Sequence, residues 1–326
     1  MKQTTVFIHS LWRAGSTYVW SRFRALPEAC AYYEPFHEAL GTETCQELAS
    51  RSPDSWASHH PRLGAGYFAE YLPLVGERGV PGFQKSFPVD HFFAENPDVL
   101  EPERRYIAAL AGHARRLGQV PVFGCCRTIG RAPWLRTRFR GMHILLVRDS
   151  RQQWYSGYVR RREAGQAYFE VMPYFILGKA ALEPARRVAR LLGIPMVDAT
   201  TVDAEYQRYA TMLEAADPEQ SYAAFYAVLS LSLDRALPAA DLVVDIDRLS
   251  GDPIYRIGVE RAVRAKTGLS VSFGDAAVAR HDIPSDLMNF DAIERSVSAL
   301  LCRDHPPWRP SITDRAWRIL WGQRDL

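Results

Sequence analysis

The sequence lacks the features of membrane-spanning, secreted and zinc-binding proteins. Its 326 residues include five cysteines, an odd number, and none has the CxxC spacing of a zinc ligand set. No apolar run reaches the roughly 18 residues of a transmembrane helix, so we expect no membrane-spanning segment. The first residues lead directly into an apolar strand without a signal-peptide pattern. We therefore expect a cytoplasmic protein with reduced thiols and no structural metal.

The chain also lacks a strong charge of either sign. Its formal net charge is +3, whereas a surface that follows nucleic-acid phosphates usually makes a domain strongly basic. We therefore expect no nucleic-acid partner. The length and a hydrophobic content of 47% allow one large domain over residues 1–326 with an ample core. The sequence leaves the oligomeric state open.

The first thirty residues contain a pattern typical of a phosphate-binding loop. Thr4 to Ile8 is a β-branched and aromatic run that predicts a buried parallel strand. The loop from His9 to Gly15 carries Arg13, and Ser16 and Thr17 then open a segment with helical apolar spacing. Unpaired N–H groups and the positive end of the helix dipole would both face an anion in this loop. Arg13 adds a permanently charged fork that suits an anionic group.

This loop does not match the usual nucleotide-binding consensus GxxxxGK[ST]. No lysine precedes Ser16, and Ser10 stands near the position of the first glycine. The alternative interpretation is an ordinary helix after a loop, with Ser16 or Thr17 as its N-cap.

Further apolar runs predict a parallel sheet whose strands end in polar residues. The predicted strands cover residues 31–33, 82–87, 121–127, 143–147 and 242–246. Glu34 follows the first of these and Lys85 lies at the end of the second. The carboxyl edge of an open α/β sheet is where ligands bind. The alternative for either residue is an exposed surface charge, which is common for Glu and Lys.

Arg148 and Ser156 form a second candidate anion grip. Arg148 emerges at the end of a central strand, Ser150 can cap the following helix, and Ser156 lies two helical turns after Arg148. Arg148 can alternatively be an ion-pair partner of its neighbour Asp149.

Helical segments are predicted between these strands. They cover residues 100–117, 222–237 and 258–273, the last ended by Gly268. Residues 41–80 and 163–237 are predicted to be substrate-facing or helical insertions. A C-terminal tail with Trp308, Trp317 and Trp321 is expected to close over the sheet. The sequence thus predicts an α/β fold with an open, mostly parallel sheet flanked by helices.

Four stretches in order resemble the sulfotransferases that use 3′-phosphoadenosine 5′-phosphosulfate (PAPS), in particular the carbohydrate and bacterial branch. They are SLWRAGSTY, YYEPF, LLVRDSRQQWYSGY and LVVDIDRLSGDP. The family's loop is similar to the segment from Arg13 to Thr17, and its Arg-Asp-Pro signature to Arg148-Asp149-Ser150. Here Ser150 replaces the usual proline. The last stretch places Asp245 and Asp247 where the family has acidic residues.

The resemblance implies a P-loop, sulfotransferase-like fold with PAPS as donor and adenosine 3′,5′-bisphosphate as product. The 5′-phosphosulfate would be held by Arg13, Ser16, Thr17 and the backbone from Ala14 through Gly15 to Thr17. Arg148 and Ser156 would hold the 3′-phosphate, and Trp154 would lie near the adenine. No metal is required by this assignment.

The implied reaction is transfer of a sulfuryl group to an acceptor hydroxyl. Glu34 would be the catalytic base, with His37 and His9 as reserves. Arg13 would stabilise the charge that develops on the leaving oxygen, with help from Lys85. The implied acceptor is a carbohydrate, a glycolipid or a small molecule.

Two other functions fit the same motifs. A P-loop kinase would bind ATP with Mg²⁺ and phosphorylate a small molecule. A non-catalytic nucleotide-binding module would keep the anion-binding loop without the transfer reaction.

Overall fold

An open parallel β-sheet forms the centre of the molecule. The computed structural model describes residues 4–51, 63–199 and 201–301. Five strands pair in parallel in the order β2-β3-β1-β4-β5. They are β1 (Thr5–His9), β2 (Ala29–Tyr33), β3 (Val120–Cys125), β4 (Gly141–Val147) and β5 (Leu242–Asp245). The predicted α/β class with an open parallel sheet is confirmed.

The strand register brings all five carboxyl ends to one edge of the sheet. His9 pairs with Cys125 on one side and Leu145 on the other, and Val147 pairs with Asp245. The chain leaves β1 for β2 in one direction and leaves β4 for β5 in the other. The crevice between the ends of β1 and β4 is therefore the topological switch point, where open α/β sheets bind ligands.

Helices cover the sheet and extend beyond it. In chain order they are α1 (Ser16–Arg24), α2 (Ala39–Thr42), α3 (Cys45–Ser50), α4 (Glu101–Arg116), α5 (Ala132–Arg138), α6 (Ser150–Ala164), α7 (Tyr168–Lys179), α8 (Glu183–Leu191), α9 (Val202–Ala215), α10 (Pro218–Ala236), α11 (Ile246–Gly251), α12 (Pro253–Thr267) and α13 (Phe290–Leu301). Short 3₁₀ helices cover Ala69–Leu74, Pro97–Leu100, Ile129–Arg131 and Leu237–Ala239.

Two apolar clusters hold these layers together. One packs α1, α4 and α12 against the sheet, and the other packs α6, α7, α10 and α13 against β4 and β5. Helix α10 is buried along most of its length because its Leu, Val, Phe and Ala side chains lie on all faces. Burial of one such large side chain stabilises the fold by about 1.5–3 kcal/mol.

The strand predicted over residues 82–87 is wrong. The segment forms consecutive turns, and Gly82 has φ +87°, a left-handed conformation that interrupts an extended chain. Its apolar residues Phe83 and Phe87 pack on Tyr106, with ring centroids 5.7 and 5.5 Å away. Lys85 consequently lies in a turn and not at a strand end.

Several predicted helix boundaries differ from the structure, among them the start of α10, which lies at Pro218 instead of residue 222. Gly15 is the N-cap of α1, so neither Ser16 nor Thr17 has that role. Asp149, and not Ser150, caps α6 by accepting a hydrogen bond from the Gln152 amide at 2.9 Å.

A further difference is at α12, which starts at Pro253, five residues before the predicted start. Asp252 caps it, and it ends at Gly268 (φ 79°), as predicted. Trp308, Trp317 and Trp321 lie outside the described residues. None of the described helices has the length and apolar character needed to cross a bilayer.

Candidate functional site

A cavity of about 1010 Å³ opens at the carboxyl edge of the sheet. Its lining contains most of the residues that the sequence singled out as catalytic or donor-binding, but not Ala14, which is 1% exposed, nor His9 and Trp154. The predicted residues in the lining include Arg13, Gly15, Ser16, Thr17, Glu34, Lys85, Arg148 and Ser156. Residues from 41–80 and 163–237 also line it, among them Thr42, Arg51, Tyr168 and Tyr206.

We call the part of the cavity around Arg13, Arg148 and Ser156 the arginine end. Arg13 donates from Nε and Nη2 to Ser156 Oγ at 3.0 and 2.9 Å, and its guanidinium lies 5.0 Å from the centre of the Phe169 ring. Arg148 donates from Nη1 to the Arg13 carbonyl at 3.0 Å and from Nη2 to the Ala279 carbonyl at 2.5 Å. The two predicted anion grips therefore lie next to each other.

The arginine end concentrates positive charge. Burial, with the nearby charges of Arg160 and Arg148, lowers the pKa of Arg13 to about 10. Burial also lowers the pKa of Arg148, although Asp247 lies 3.8 Å from its Nε and opposes this shift. A pKa lowered in this way means that the cationic form is under-solvated, so a bound anion would stabilise it.

The loop before α1 has the geometry of an anion-binding turn. Arg13 and Gly15 both have left-handed φ angles, of 65° and 73°. A Cβ at position 15 would be strained by the left-handed φ and would lie 3.0 Å from the side chain of Ile246, so both conformation and space favour glycine. No side chain caps α1, which leaves its first amide groups directed at the cavity.

The hydroxyl groups of the loop contact other protein groups. Ser16 Oγ hydrogen-bonds with Cys126 Sγ at 3.2 Å, and Thr17 Oγ1 with the Tyr33 hydroxyl at 3.0 Å. Both residues line the cavity, so their role toward a ligand stays a prediction.

We call the part of the cavity around Glu34, Glu38 and Arg127 the glutamate end. Glu34 is 4% exposed and has φ 43°, which is uncommon for a non-glycine residue. Its Oε1 accepts from the Cys126 amide at 2.9 Å and its Oε2 from Arg127 Nη1 at 3.0 Å. Two charge-assisted hydrogen bonds hold the carboxylate in one orientation and leave lone pairs for another donor.

Sequence reasoning missed Arg127 as a site residue. It is 2% exposed, and its Nη2 donates to Glu38 Oε2 at 2.8 Å and to the Tyr168 hydroxyl. Burial opposes its charge, yet Tyr168, Glu38 and Glu34 together raise its pKa well above the usual value. The signal was available, because Arg127 follows β3 just as Arg148 follows β4.

The two reserve histidines lie in different environments. His9 is 1% exposed and does not line the cavity. Its ring hydrogen-bonds with Thr128 Oγ1 at 2.8 Å and with His143 Nδ1 at 3.0 Å. Burial and the neighbouring His143 lower its pKa well below the usual value. Its position in the sheet excludes the proposed role as a base at this cavity.

His37 does line the cavity, but its tautomer is unfavourable for a base. Its Nδ1 accepts a hydrogen bond from the Ala39 amide at 3.2 Å, so the neutral ring carries its proton on Nε2. Burial lowers its pKa to about 4. Glu34 is therefore the better-placed candidate.

Lys85 lines the cavity, but its contacts are structural. Its Nζ donates to the Ala199 carbonyl at 2.6 Å and lies 3.7 Å from Glu205 Oε1. The predicted catalytic role of Lys85 stays a prediction.

The aromatic residues of the cavity differ from the predicted one. Trp154 is 3% exposed, donates to Ser221 Oγ at 3.1 Å, and lies outside the lining. The prediction that it lies near an adenine is therefore wrong. Tyr168, Phe169 and Tyr206 line the cavity instead, from segments in which the sequence showed no motif.

No family model matches the chain, and no curated protein matches it in sequence. The structure is similar to the crystal structure of a sulfotransferase from Alicyclobacillus acidocaldarius, with 14% identity over 92% of this chain and 95% of that chain. The TM-score of this likeness is 0.38.

Proposed function

We propose that the protein is a PAPS-dependent sulfotransferase that makes a sulfate ester on a hydroxylated acceptor, of which a carbohydrate is the leading class. One observation carries the proposal. Arg13, Arg148 and Ser156 are joined at one end of a cavity whose other end holds the oriented carboxylate of Glu34. A donor with anionic groups at both its 5′ and 3′ positions needs two adjacent anion grips.

The arginine end would bind the donor. The amides at the start of α1 and the Arg13 guanidinium are suited to the 5′-phosphosulfate, and Arg148 with Ser156 to the 3′-phosphate. Ser156 Oγ accepts two hydrogen bonds from Arg13. Donor binding would therefore exchange some of these contacts for contacts to phosphate oxygens.

Glu34 would act on the acceptor. As the acceptor oxygen bonds to sulfur, the bond from sulfur to the 5′-phosphate oxygen breaks, and the hydroxyl proton moves to Glu34. Negative charge then grows on the leaving phosphate, where Arg13 would stabilise it. Arg127 remains paired with Glu38 when Glu34 becomes neutral, so the proton transfer leaves no unpaired buried cation.

A thermal-shift comparison tests the donor. A ligand at 100 times its Kd adds about 2.7 kcal/mol of stability, so a true donor-site ligand gives a measurable rise in Tm. We expect adenosine 3′,5′-bisphosphate without metal to stabilise the protein more than ATP with Mg²⁺. The opposite result would favour the kinase. Stabilisation by the bisphosphate without sulfate transfer to any acceptor in a broad screen would favour a binding module.

A further inference from the structure

The cations at the glutamate end already have carboxylate partners. Arg127 donates to both Glu34 and Glu38 at 3.0 and 2.8 Å. Arg51 Nε donates to Glu43 Oε2 at 2.7 Å, and its Nη2 makes a second bond to the same carboxylate.

Lys85 differs from these arginines, because its Nζ donates to the Ala199 carbonyl at 2.6 Å and Glu205, 3.7 Å away, is already bonded by Lys179 at 2.7 Å. The two arginines of the glutamate end are therefore neutralised by carboxylates of the protein itself.

The arginine end is different. Arg13 contacts the Ser156 hydroxyl and the Phe169 ring, and Arg148 donates to two backbone carbonyls. These partners are neutral. Two carboxylates act on Arg148 through their charge: Asp247, 3.8 Å from its Nε, and Asp149. An anionic ligand gains most from cations whose charge is not already balanced, so the two ends select for different ligands.

A pair of tyrosines forms a wall at the glutamate end. The rings of Tyr168 and Tyr206 are nearly parallel, with centroids 6.1 Å apart and an angle of 25°. Both rings are partly exposed and line the cavity. The Tyr168 hydroxyl accepts from Arg127, and Trp12 packs edge-on against its ring at 6.4 Å. This packing preorganises an apolar surface, which reduces the entropy lost on binding.

Carboxylates that can accept hydrogen bonds lie beside this wall. The Glu38 side chain is 30% exposed, and Asp203 is exposed in the first turn of α9. Both line the cavity. Several adjacent hydroxyl groups on one ring can use such acceptors together, whereas a phenol offers a single donor.

From these contacts we infer that the glutamate end binds the acceptor as a neutral carbohydrate ring on the Tyr168–Tyr206 wall, and discriminates against anionic sugars. The inference rests on the proposed function, because it identifies the acceptor class of the same cavity. A sugar carboxylate or sulfate here finds Arg127 and Arg51 already paired with carboxylates and is repelled by Glu38. A neutral ring keeps the aromatic contact and meets no such repulsion.

Calorimetric titration tests the inference independently of turnover. The protein, saturated with adenosine 3′,5′-bisphosphate, is titrated with a panel of neutral mono- and disaccharides, the matching uronic acids, and p-nitrophenol. We expect at least one neutral sugar to bind about tenfold or more tightly than its uronic acid, which corresponds to about 1.4 kcal/mol. p-Nitrophenol is expected to bind more weakly than that sugar.

Three variants with a matched control sharpen the test. Tyr206→Ala removes one of the two rings of the wall and should lower the affinity for the neutral sugar about tenfold without changing the affinity for the nucleotide. Tyr206→Phe should keep most of the affinity for the sugar. Glu43→Gln removes the charged partner of Arg51 and should raise the affinity for the uronic acid, relative to that for the neutral sugar, by about threefold. The control Glu183→Gln removes an exposed partner of Arg190 outside the cavity and should change the affinity for neither the neutral sugar nor the uronic acid.

Several results would overturn the inference. In the panel titration, the contradicting results are a uronic acid that binds as tightly as its neutral sugar, binding of p-nitrophenol alone, and no binding of any sugar by the nucleotide-loaded protein. In Tyr206→Ala, the contradicting result is an unchanged affinity for the neutral sugar. Failure of the wild-type protein to bind the bisphosphate would instead contradict the proposed donor. In that case the same titrations are run without nucleotide, and the same criteria decide whether a neutral sugar binds on the Tyr168–Tyr206 wall in preference to its uronic acid.

Discussion

The two ends of the cavity are built from the same kinds of charged residue but balance them differently. At the arginine end, Arg13 and Arg148 are held mainly by a hydroxyl and by backbone carbonyls. At the glutamate end, Arg127 is held by two carboxylates and is almost fully buried. An arginine with neutral partners can bind an incoming anion, whereas one enclosed by carboxylates fixes their position. The partners of an arginine therefore reveal more about its role than its presence in the sequence.

Both ends also contain a strained backbone position. Among the described residues, the non-glycine residues with positive φ are Arg13 and Glu34, one at each end, and Ala94. Left-handed conformations of such residues are costly and often occur at functional sites. Their occurrence at both ends fits a cavity in which side-chain direction is determined by the loop backbone.

The largest expected effect comes from the glutamate end. Glu34→Gln keeps the size and one hydrogen-bond acceptor but cannot take a proton, so turnover should fall by about 10²–10⁴-fold. Affinity for adenosine 3′,5′-bisphosphate, measured by calorimetry, should be nearly unchanged because the arginine end is intact. Wild-type turnover in this variant would show that Glu34 is not the base.

The next effect tests whether Arg127 holds the two carboxylates of the glutamate end in place. Arg127→Met leaves the buried Glu34 and the partly exposed Glu38 without their cation and should lower the free energy of unfolding by about 3–5 kcal/mol. Urea denaturation measures this loss. The double variant Arg127→Met/Glu34→Gln should lose less than the sum of the single variants, because one unpaired charge is gone. Strict additivity would contradict the coupling at this end.

The smallest effect tests the arginine end. Arg148→Ala should lower the affinity for adenosine 3′,5′-bisphosphate by about 10–100-fold, which is the size expected for loss of a charge-assisted hydrogen bond. Calorimetry should show a much smaller loss of affinity for AMP. Ser156→Ala should also lower the affinity for the bisphosphate more than that for AMP, but by a smaller factor than Arg148→Ala. Equal losses for both nucleotides would mean that Arg148 supports the loop through the Arg13 carbonyl and does not recognise a 3′-phosphate.

The sequence by itself predicted the parts that depend on local patterns. Apolar runs identified the strands that contain residues 5–9 and 141–147, and Gly268 marked the end of α12. The rule that polar residues after parallel strands meet at one edge selected Arg13, Glu34 and Arg148, and all three line one cavity. The same periodicity failed at residues 82–87, because an apolar segment packed in turns looks like a short strand.

Only the tertiary structure decided which groups each side chain contacts. Arg127 and Glu34 are far apart in the chain, and nothing local indicates that they share a buried ion pair. Tyr168 and Tyr206 come from different helices and meet because α7 packs against α9. Trp154 and His9 resembled ligand-facing residues in sequence but are enclosed by neighbouring side chains. Such contacts arise from long-range packing, which determines burial and charge pairing and so determines which candidates can reach a ligand.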